Sequence, residues 1–424
     1  MPTLYDLSDA LWQGKTSTRH VDHHPFKALN QVEEIAPGVA FYKSFSNLTV
    51  VDTEDGAVLI DTGSFHPTAY ARSFSAVRSR TPERIHTAIY THGHVDHAYG
   101  LPPFLEEAKE KGWAAPEVVG HCHVHHRMDR YIETAGYNEV INERQFGYPV
   151  EWPTDPIYPT TEFEESVELE VGGTPLNVTH AKGETDDHAY IFLPEQRVLC
   201  TGDLFIWAAP NAGNPQKVQR YVKEWYTALR NMAALKPEAL LPGHGLPVFG
   251  EDRVREALLN TADYLESIYT QTIGMMNEGA TVDDLVHGVT PPADLAALPY
   301  LQPVYDEPEF IVRTIHRCVG GWYSGTPSEL KPAPRSQQAT EIAAMAGGVA
   351  ALIARAETMA GNDDLRMACH LIDWAVEAEP KNTDAHRTRA TIYKARTEAE
   401  ASTMSRGVYG AAARESQEKA GDLA

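Results

Sequence analysis

Cysteine is scarce in this 424-residue chain: Cys122, Cys200, Cys318 and Cys369 are the whole set, and no two form a CxxC pair. That excludes a disulfide framework and a zinc-finger arrangement, and it fits a reduced, intracellular setting. Basic charge is also short. Against 59 Asp and Glu stand 36 Lys and Arg, a formal net charge of −23. A general nucleic-acid binder or a polybasic membrane anchor would show the opposite balance. No apolar run approaches the ~18 residues of a membrane-spanning helix, so no membrane partner is expected. The opening MPTLYDLSDALWQGKTSTRHVDHH lacks the basic, apolar, small-residue order of a secretory signal. A cytoplasmic location is therefore expected. With 42% hydrophobic residues the chain can bury a full core, and at about 150 residues per domain two or three domains are expected.

The pattern changes twice along the chain. Residues 1–30 read as an irregular N-terminal arm. Residues 31–250 carry short apolar runs bounded by Asp, Gly, Asn or Pro, such as Leu48 to Val51, Ala57 to Ile60, Ile85 to Tyr90 and Ala189 to Leu193; these predict strands. Helical periods over 69–80 and 216–235 interrupt them. Strands followed by a helix, twice over, predict an α/β fold with sheets covered by helices. From about residue 251 to 424 the chain reads as helical. Leu258, Leu259, Ala262, Leu265 and Ile268 follow a 3.6 period, Thr281 with Asp284 marks a helix start, and 327–334 is a Pro-rich linker. The stretch 364–400 fits either one tetratricopeptide-like hairpin or part of a plain helical bundle.

The chemistry concentrates in Thr91-His92-Gly93-His94-Val95-Asp96-His97, three histidines and an aspartate at the end of an apolar strand. Alternate residues of a strand end share a side, so His92 and His94 can face one point, while Asp96 and His97 turn away in a loop. Neutral imidazoles and carboxylates suit zinc, and also iron or manganese. A second group, His121, His123, His125 and His126, is expected to pack on a helix or the surface, with a further metal site as the alternative. His20, His23 and His24 read as a surface segment.

The HxHxDH run resembles the signature of the metallo-β-lactamase superfamily. Other pieces stand in that family's order: Leu59-Ile60-Asp61-Thr62-Gly63 upstream, then Gly183-Glu184-Thr185-Asp186-Asp187-His188, Cys200-Thr201-Gly202-Asp203 and Leu241-Pro242-Gly243-His244-Gly245. The resemblance implies an αββα sandwich over residues 31–250 and a site for two zinc ions. His92, His94 and Glu184 would serve the first ion; Asp96, His97 and His244 would serve the second, with Asp203 shared. His188 would stand behind the ligands. Asp96 is the expected catalytic residue, orienting a water whose pKa the ions bring toward neutrality. Most of the superfamily has a histidine where this chain has Glu184. The alkyl sulfatase branch has a glutamate there, and residues 251–424 resemble its helical dimerisation region, with Tyr264 to Thr272, Asn277-Glu278-Gly279, Pro291-Pro292 and Val319-Gly320-Gly321-Trp322-Tyr323 as the matching pieces. That likeness implies a homodimer acting on a small-molecule ester, an alkyl sulfate first.

The likeness is incomplete in three ways. Asp203 stands where that branch usually has glutamate. The chain ends where those enzymes continue into a sterol-carrier-like domain. The Leu-Arg-Gly segment that holds sulfate is replaced by Ala212-Gly213-Asn214-Pro215-Gln216-Lys217, leaving Lys217 or Arg220 as substitutes. A carboxylic ester, lactone or thioester is therefore the alternative substrate. An iron-dependent oxidoreductase is a further alternative, opposed by His94, where diiron members usually have glutamate.

Overall fold

The computed structural model describes residues 2–422. It opens with a helix, Leu4–Trp12, where an irregular arm is expected from the sequence. Thr3 accepts from Asp6 N, and Asp6 accepts from Thr3 N, closing the N-terminus with a capping box. Leu4 and Leu11 are buried on the same face. The Thr3–Asp6 spacing and the leucines at i, i+3 and i+7 are the signal that the irregular reading overlooks.

Two sheets follow. The first has seven strands in chain order: β1 (Gln31–Ala36), β2 (Val39–Lys43), β3 (Leu48–Thr53), β4 (Gly56–Ile60), β5 (Ile85–Ile89), β6 (Glu117–His121) and β7 (Thr161–Phe163). β1 to β4 pair antiparallel, and β4 to β7 run parallel. The second has six: β8 (Ser166–Val171), β9 (Thr174–His180), β10 (Ala189–Leu193), β11 (Val198–Gly202), β12 (Ala239–Pro242) and β13 (Val248–Phe249). Only β11 and β12 are parallel in this sheet. Phe41, Val58 and Ile89 of the first sheet share one core with Val178, Ile191 and Leu199 of the second. Helices such as Pro67–Arg80 and Val222–Ala234 flank the pair. This is the expected α/β sandwich, followed by an all-α region.

Sequence periodicity places most of the strands. It misses β1, whose Glu33 and Glu34 break the apolar pattern because β1 is a sheet edge, where charge prevents further pairing. It misses the helices Pro102–Lys111 and Ala135–Phe146, while His123–Glu133 meets the helical reading of the 121–126 histidines. Helix expected from 216 begins only at Val222, because Arg220 and its neighbours are drawn into the site instead.

The chain forms two compact units, Met1–Ala135 with Trp152–Gly321, and Gly136–Glu151 with Trp322–Ala424. They do not part at residue 250. The helix Glu251–Asn277 buries Val254, Leu258, Leu265 and Ile268 in the sandwich core, and Pro308–Gly320 adds Ile311, Val312 and Ile315. The second unit has its own core, built from Leu352, Ala368, Ile372, Ala385 and Ile392 on helices. Among the described residues no single helix is long and apolar enough to cross a membrane; only Arg335–Ala346 and Val349–Gly361 reach that composition together, bent by 85°.

Candidate metal centre

The parallel strands aim their carboxyl ends at one point, where α/β proteins commonly bind ligands. β5 leads into Thr91 and His92, β11 into Asp203, and β12 into His244, while Glu184 lies in the turn between β9 and β10. Backbones come very close here. A Cβ on Gly243 would lie 2.2 Å from Asp203 Oδ1 and 3.0 Å from His97 Cε1, so only glycine fits.

Two groups of ligand-type side chains result. In the first, His92, His94, Glu184 and Asp203 each bring one donor atom within 4.8 Å of the others, and Asp96, His97 and His244 do the same in the second. His92 Nε2 and His94 Nδ1 are 2.8 Å apart, and His94 Nδ1 is 3.5 Å from Glu184 Oε2. Asp203 also reaches the second group: Oδ1 lies 3.4 Å from His97 Nε2 and Oδ2 3.4 Å from His244 Nε2. Every candidate ligand expected from the sequence is in one of these two groups.

The ring orientations are set from behind. Asp61 accepts from Thr91 N at 2.8 Å and from Thr91 Oγ1 at 2.9 Å, and its Oδ2 takes the His97 Nδ1 proton at 2.8 Å. Asp61 adopts φ 58° to do so, a backbone conformation uncommon outside glycine. His92 Nδ1 donates to Thr91 Oγ1 at 2.9 Å, and His244 Nδ1 to the Phe45 carbonyl at 2.6 Å. Each ring thus turns Nε2 toward the site, as metal-ligating histidines do. His188 has both nitrogens occupied: Nδ1 donates to Ala189 O, and Nε2 accepts from Asp203 N at 3.1 Å. Its ring stacks on His92 at 4.5 Å.

A further network ties the histidine loop to the Glu184 turn. Gly93 N donates to Asp187 Oδ2 at 2.8 Å, Arg127 Nε donates to Asp187 Oδ1 at 2.8 Å, and Arg127 Nη2 donates to Asp186. Burial alone would raise the Asp187 carboxyl, but Arg127 and the Gly93 N–H hold it below the usual carboxylate range. Arg220 Nη1 donates to the Glu184 carbonyl at 2.7 Å, and Asn211 Nδ2 donates to Glu184 Oε1. Arg127 and Asn211 carry no motif that marks these roles. Asp61 and Asp187 do fall in runs that resemble family landmarks, Leu59 to Gly63 and Gly183 to His188, but the runs do not say what these carboxylates hold.

The donor set fits a pair of divalent cations. Glu184 Oε2 and Asp203 Oδ1 are buried and receive no hydrogen bond, which is costly unless a cation completes them. Burial and the neighbouring Asp203 push Glu184 up to about 8. Burial works against charge on His244, yet Asp203 and Asp96 raise it to about 9. Protons are thus held on groups that a cation would replace. The 121–126 histidines do not converge this way: His121 stacks on His180 at 3.8 Å, His125 stacks on Tyr158 at 4.5 Å, and among the described residues neither joins a metal-capable group.

Two aromatic walls border the site. Phe26 and Phe45 lie 4.4 Å and 5.6 Å from the His244 ring, and Tyr305 packs on Phe26 at 4.5 Å. Beside the first group Tyr131 lies 6.4 Å from the His94 ring and 5.2 Å from Trp152. Lys217 rests over the Trp152 ring at 5.7 Å, and among the described residues no carboxylate lies at ion-pair distance from its ammonium, though Asp96 and Glu184 act on it through space.

The family described as "Metallo-beta-lactamase superfamily" matches residues 42–244, and "Alkyl sulfatase dimerisation" matches 281–419. In order along the chain, its two regions thus match the metallo-β-lactamase superfamily and the alkyl sulfatase dimerisation family. It is 25% identical over 367 residues to a linear primary-alkylsulfatase of Pseudomonas sp., covering 81% of this chain and 69% of that one. It is also 25% identical to an alkyl/aryl-sulfatase of Saccharomyces cerevisiae, covering 94% of this chain and 64% of the other. The solved stereoselective inverting sec-alkylsulfatase of Pseudomonas sp. superposes with TM-score 0.83 at 22% identity, over 92% of this chain and 66% of that chain. The chain thus spans about two thirds of the length of these relatives. The site is a dinuclear metal-binding hydrolase site of this fold, consistent with ester hydrolysis.

Proposed function

We propose that this chain is a zinc-dependent hydrolase of esters with an anionic head and an apolar tail, alkyl sulfates first. The observation that carries the substrate class is Lys217, a half-buried ammonium over the Trp152 ring, near enough to Asp96 and Glu184 of the metal-capable groups to feel their charge but with no carboxylate at ion-pair distance among the described residues. An unpaired cation in such a place favours an anion, and the flanking rings favour hydrocarbon. The alkylsulfatase names of the relatives point the same way. The aromatic walls and the missing Leu-Arg-Gly segment leave a carboxylic ester, lactone or thioester as the second reading.

His92, His94 and Glu184 would hold one ion, Asp96, His97 and His244 the other, with Asp203 shared. Bound there, two zinc ions would supply an activated water and positive charge for the developing oxyanion. Asp61 keeps the His97 proton on Nδ1, and the Phe45 carbonyl does so for His244. Asp96 points its carboxylate at this group, 3.4 Å from His244 Nε2, and orients the attacking water. Lys217 positions the anionic head, and Phe26, Phe45, Tyr131 and Trp152 exclude water from the tail. The dimerisation match supports a homodimer.

The deciding experiment is sulfate release from dodecyl sulfate by the zinc-loaded protein, with a chelated control. Release that disappears on chelation supports the reading. No release from protein holding two zinc ions per chain would sink the sulfate ester and move the assay to carboxylic esters, lactones and thioesters.

Lys217→Ala is expected to raise KM for an anionic ester about 10-fold, equivalent to ~1.4 kcal/mol, with a neutral ester unaffected. Burial and the nearby Arg220 lower Lys217 to about 8. Its positive charge is therefore lost at lower pH than a free lysine's, so KM climbs on the alkaline side of neutrality in the parent and stays flat in the variant. Equal loss on neutral and anionic esters would remove Lys217 from this role.

A further inference from the structure

The loop after Asp203 is braced by a segment distant in sequence. Asp306 is wholly buried. Its Oδ2 accepts from Gly213 N at 2.5 Å and its Oδ1 from Glu307 N at 2.7 Å. Gly213 lies directly on the first turn of the helix Pro308–Gly320: a Cβ there would sit 2.1 Å from Ile311 N and 2.2 Å from Phe310 C. Two residues earlier, Asn211 is 4% exposed and donates from Nδ2 to Glu184 Oε1. Ala209 N donates to Gln302 O at 2.9 Å, a second tie between the same segments. An unbroken line of hydrogen bonds and covalent bonds therefore runs from Asp306 through Gly213 and Asn211 to Glu184.

Placing a carboxylate at Asp306 works against stability. Burial and the neighbouring Glu307 raise it, the two N–H groups and Arg220 lower it, and the balance pushes it up to about 7. A buried acid held by backbone N–H groups, with no cation at ion-pair distance among the described residues, costs folding free energy. What it provides is a fixed position for the Gly213 peptide.

We propose that Asp306 is a positioning residue for Glu184, acting through the Gly213 peptide and the Asn211 side chain to fix the carboxylate that completes the first metal group. This rests on the reading of Glu184 as a ligand. Groups behind a ligand commonly shift metal affinity 10- to 100-fold when removed. The effect should fall mainly on one ion, because the line ends at Glu184, which groups with His92, His94 and Asp203, while Asp96, His97 and His244 form the other group.

The test titrates zinc into metal-free full-length protein against a chromophoric chelator and resolves the two affinities. Asp306→Ala is expected to weaken one ion by about 10-fold or more and to leave the other unchanged. Asp306→Asn, which keeps one acceptor oxygen and avoids the cost of a buried charge, is expected to give a smaller loss at the same ion. Glu184→Gln, measured alongside, should weaken that ion most. No change at either ion in both Asp306 variants would overturn the proposal, as would equal weakening of both ions, the mark of a generally loosened fold. Two ions held at parental affinity by Glu184→Gln would instead overturn the ligand reading beneath it.

Discussion

Asp203→Ala is expected to strip both ions from the site and to lower ester hydrolysis by about 1,000-fold or more, ~4 kcal/mol of transition-state stabilisation. Asp203 is a member of the His92, His94 and Glu184 group and also lies 3.4 Å from both His97 Nε2 and His244 Nε2. No other carboxylate described here reaches both groups. Asp96 stays with the second and Glu184 with the first. The contrast with Glu184→Gln is therefore diagnostic, since that change should disturb one ion only. Burial alone would raise Asp203, but His244 and His97 hold it well below the usual carboxylate range. It is the fixed negative charge around which the rest is arranged. Metal content after gel filtration, read with the rate, checks the prediction. A variant that keeps two ions and a tenth of the activity would show that Asp203 is not shared between them.

The ligands were legible in the sequence because they sit in short landmarks at strand ends. His92 to His97 are contiguous, and the backbone that carries them is a buried strand with an obvious apolar run. Asp203 and His244 close β11 and β12 with glycine neighbours that mark close backbone approach. Of the residues behind them, His188 was legible from its place after Glu184, but the long-range pairs were not. Arg127 meets Asp187 across 60 positions, and Asp306 meets Gly213 across 93. Neither pairing leaves a spacing to read, because it exists only once the sandwich has closed. The helix Glu251–Asn277 shows the same limit. Its apolar period is plain, but the period does not say which core it joins, and it joins the sandwich. The N-terminal helix is the reverse case: its complete local signature at Thr3 and Asp6 stands beside polar, histidine-rich sequence that reads as irregular.

Arg127→Met is expected to cost about 3–5 kcal/mol of stability, the usual result of removing one partner of a buried ion pair. Arg127 is 3% exposed and Asp187 is fully buried. Methionine fills the space of the aliphatic stem but leaves Asp187 charged, dry and without its guanidinium. The sign of the pH dependence follows. In the parent, Asp187 lies below its unfolded value, so the pair stabilises at neutral pH and that stability is lost as pH falls through the folded pKa. In the variant, burial dominates and lifts the carboxyl, so the penalty is largest at neutral pH and shrinks as acid neutralises it. Unfolding of the first unit can be followed through the buried Trp207 and Trp225. Asp187→Asn in the Arg127→Met background should recover much of the loss, because the amide oxygen still accepts from Gly93 N and no charge remains. A deficit under about 0.5 kcal/mol, the size of an ordinary surface change, would show that water reaches Asp187. The functional consequence is local: the Gly93 peptide between His92 and His94 is anchored by Asp187, so metal affinity should fall with stability in the single variant and return with it in the double.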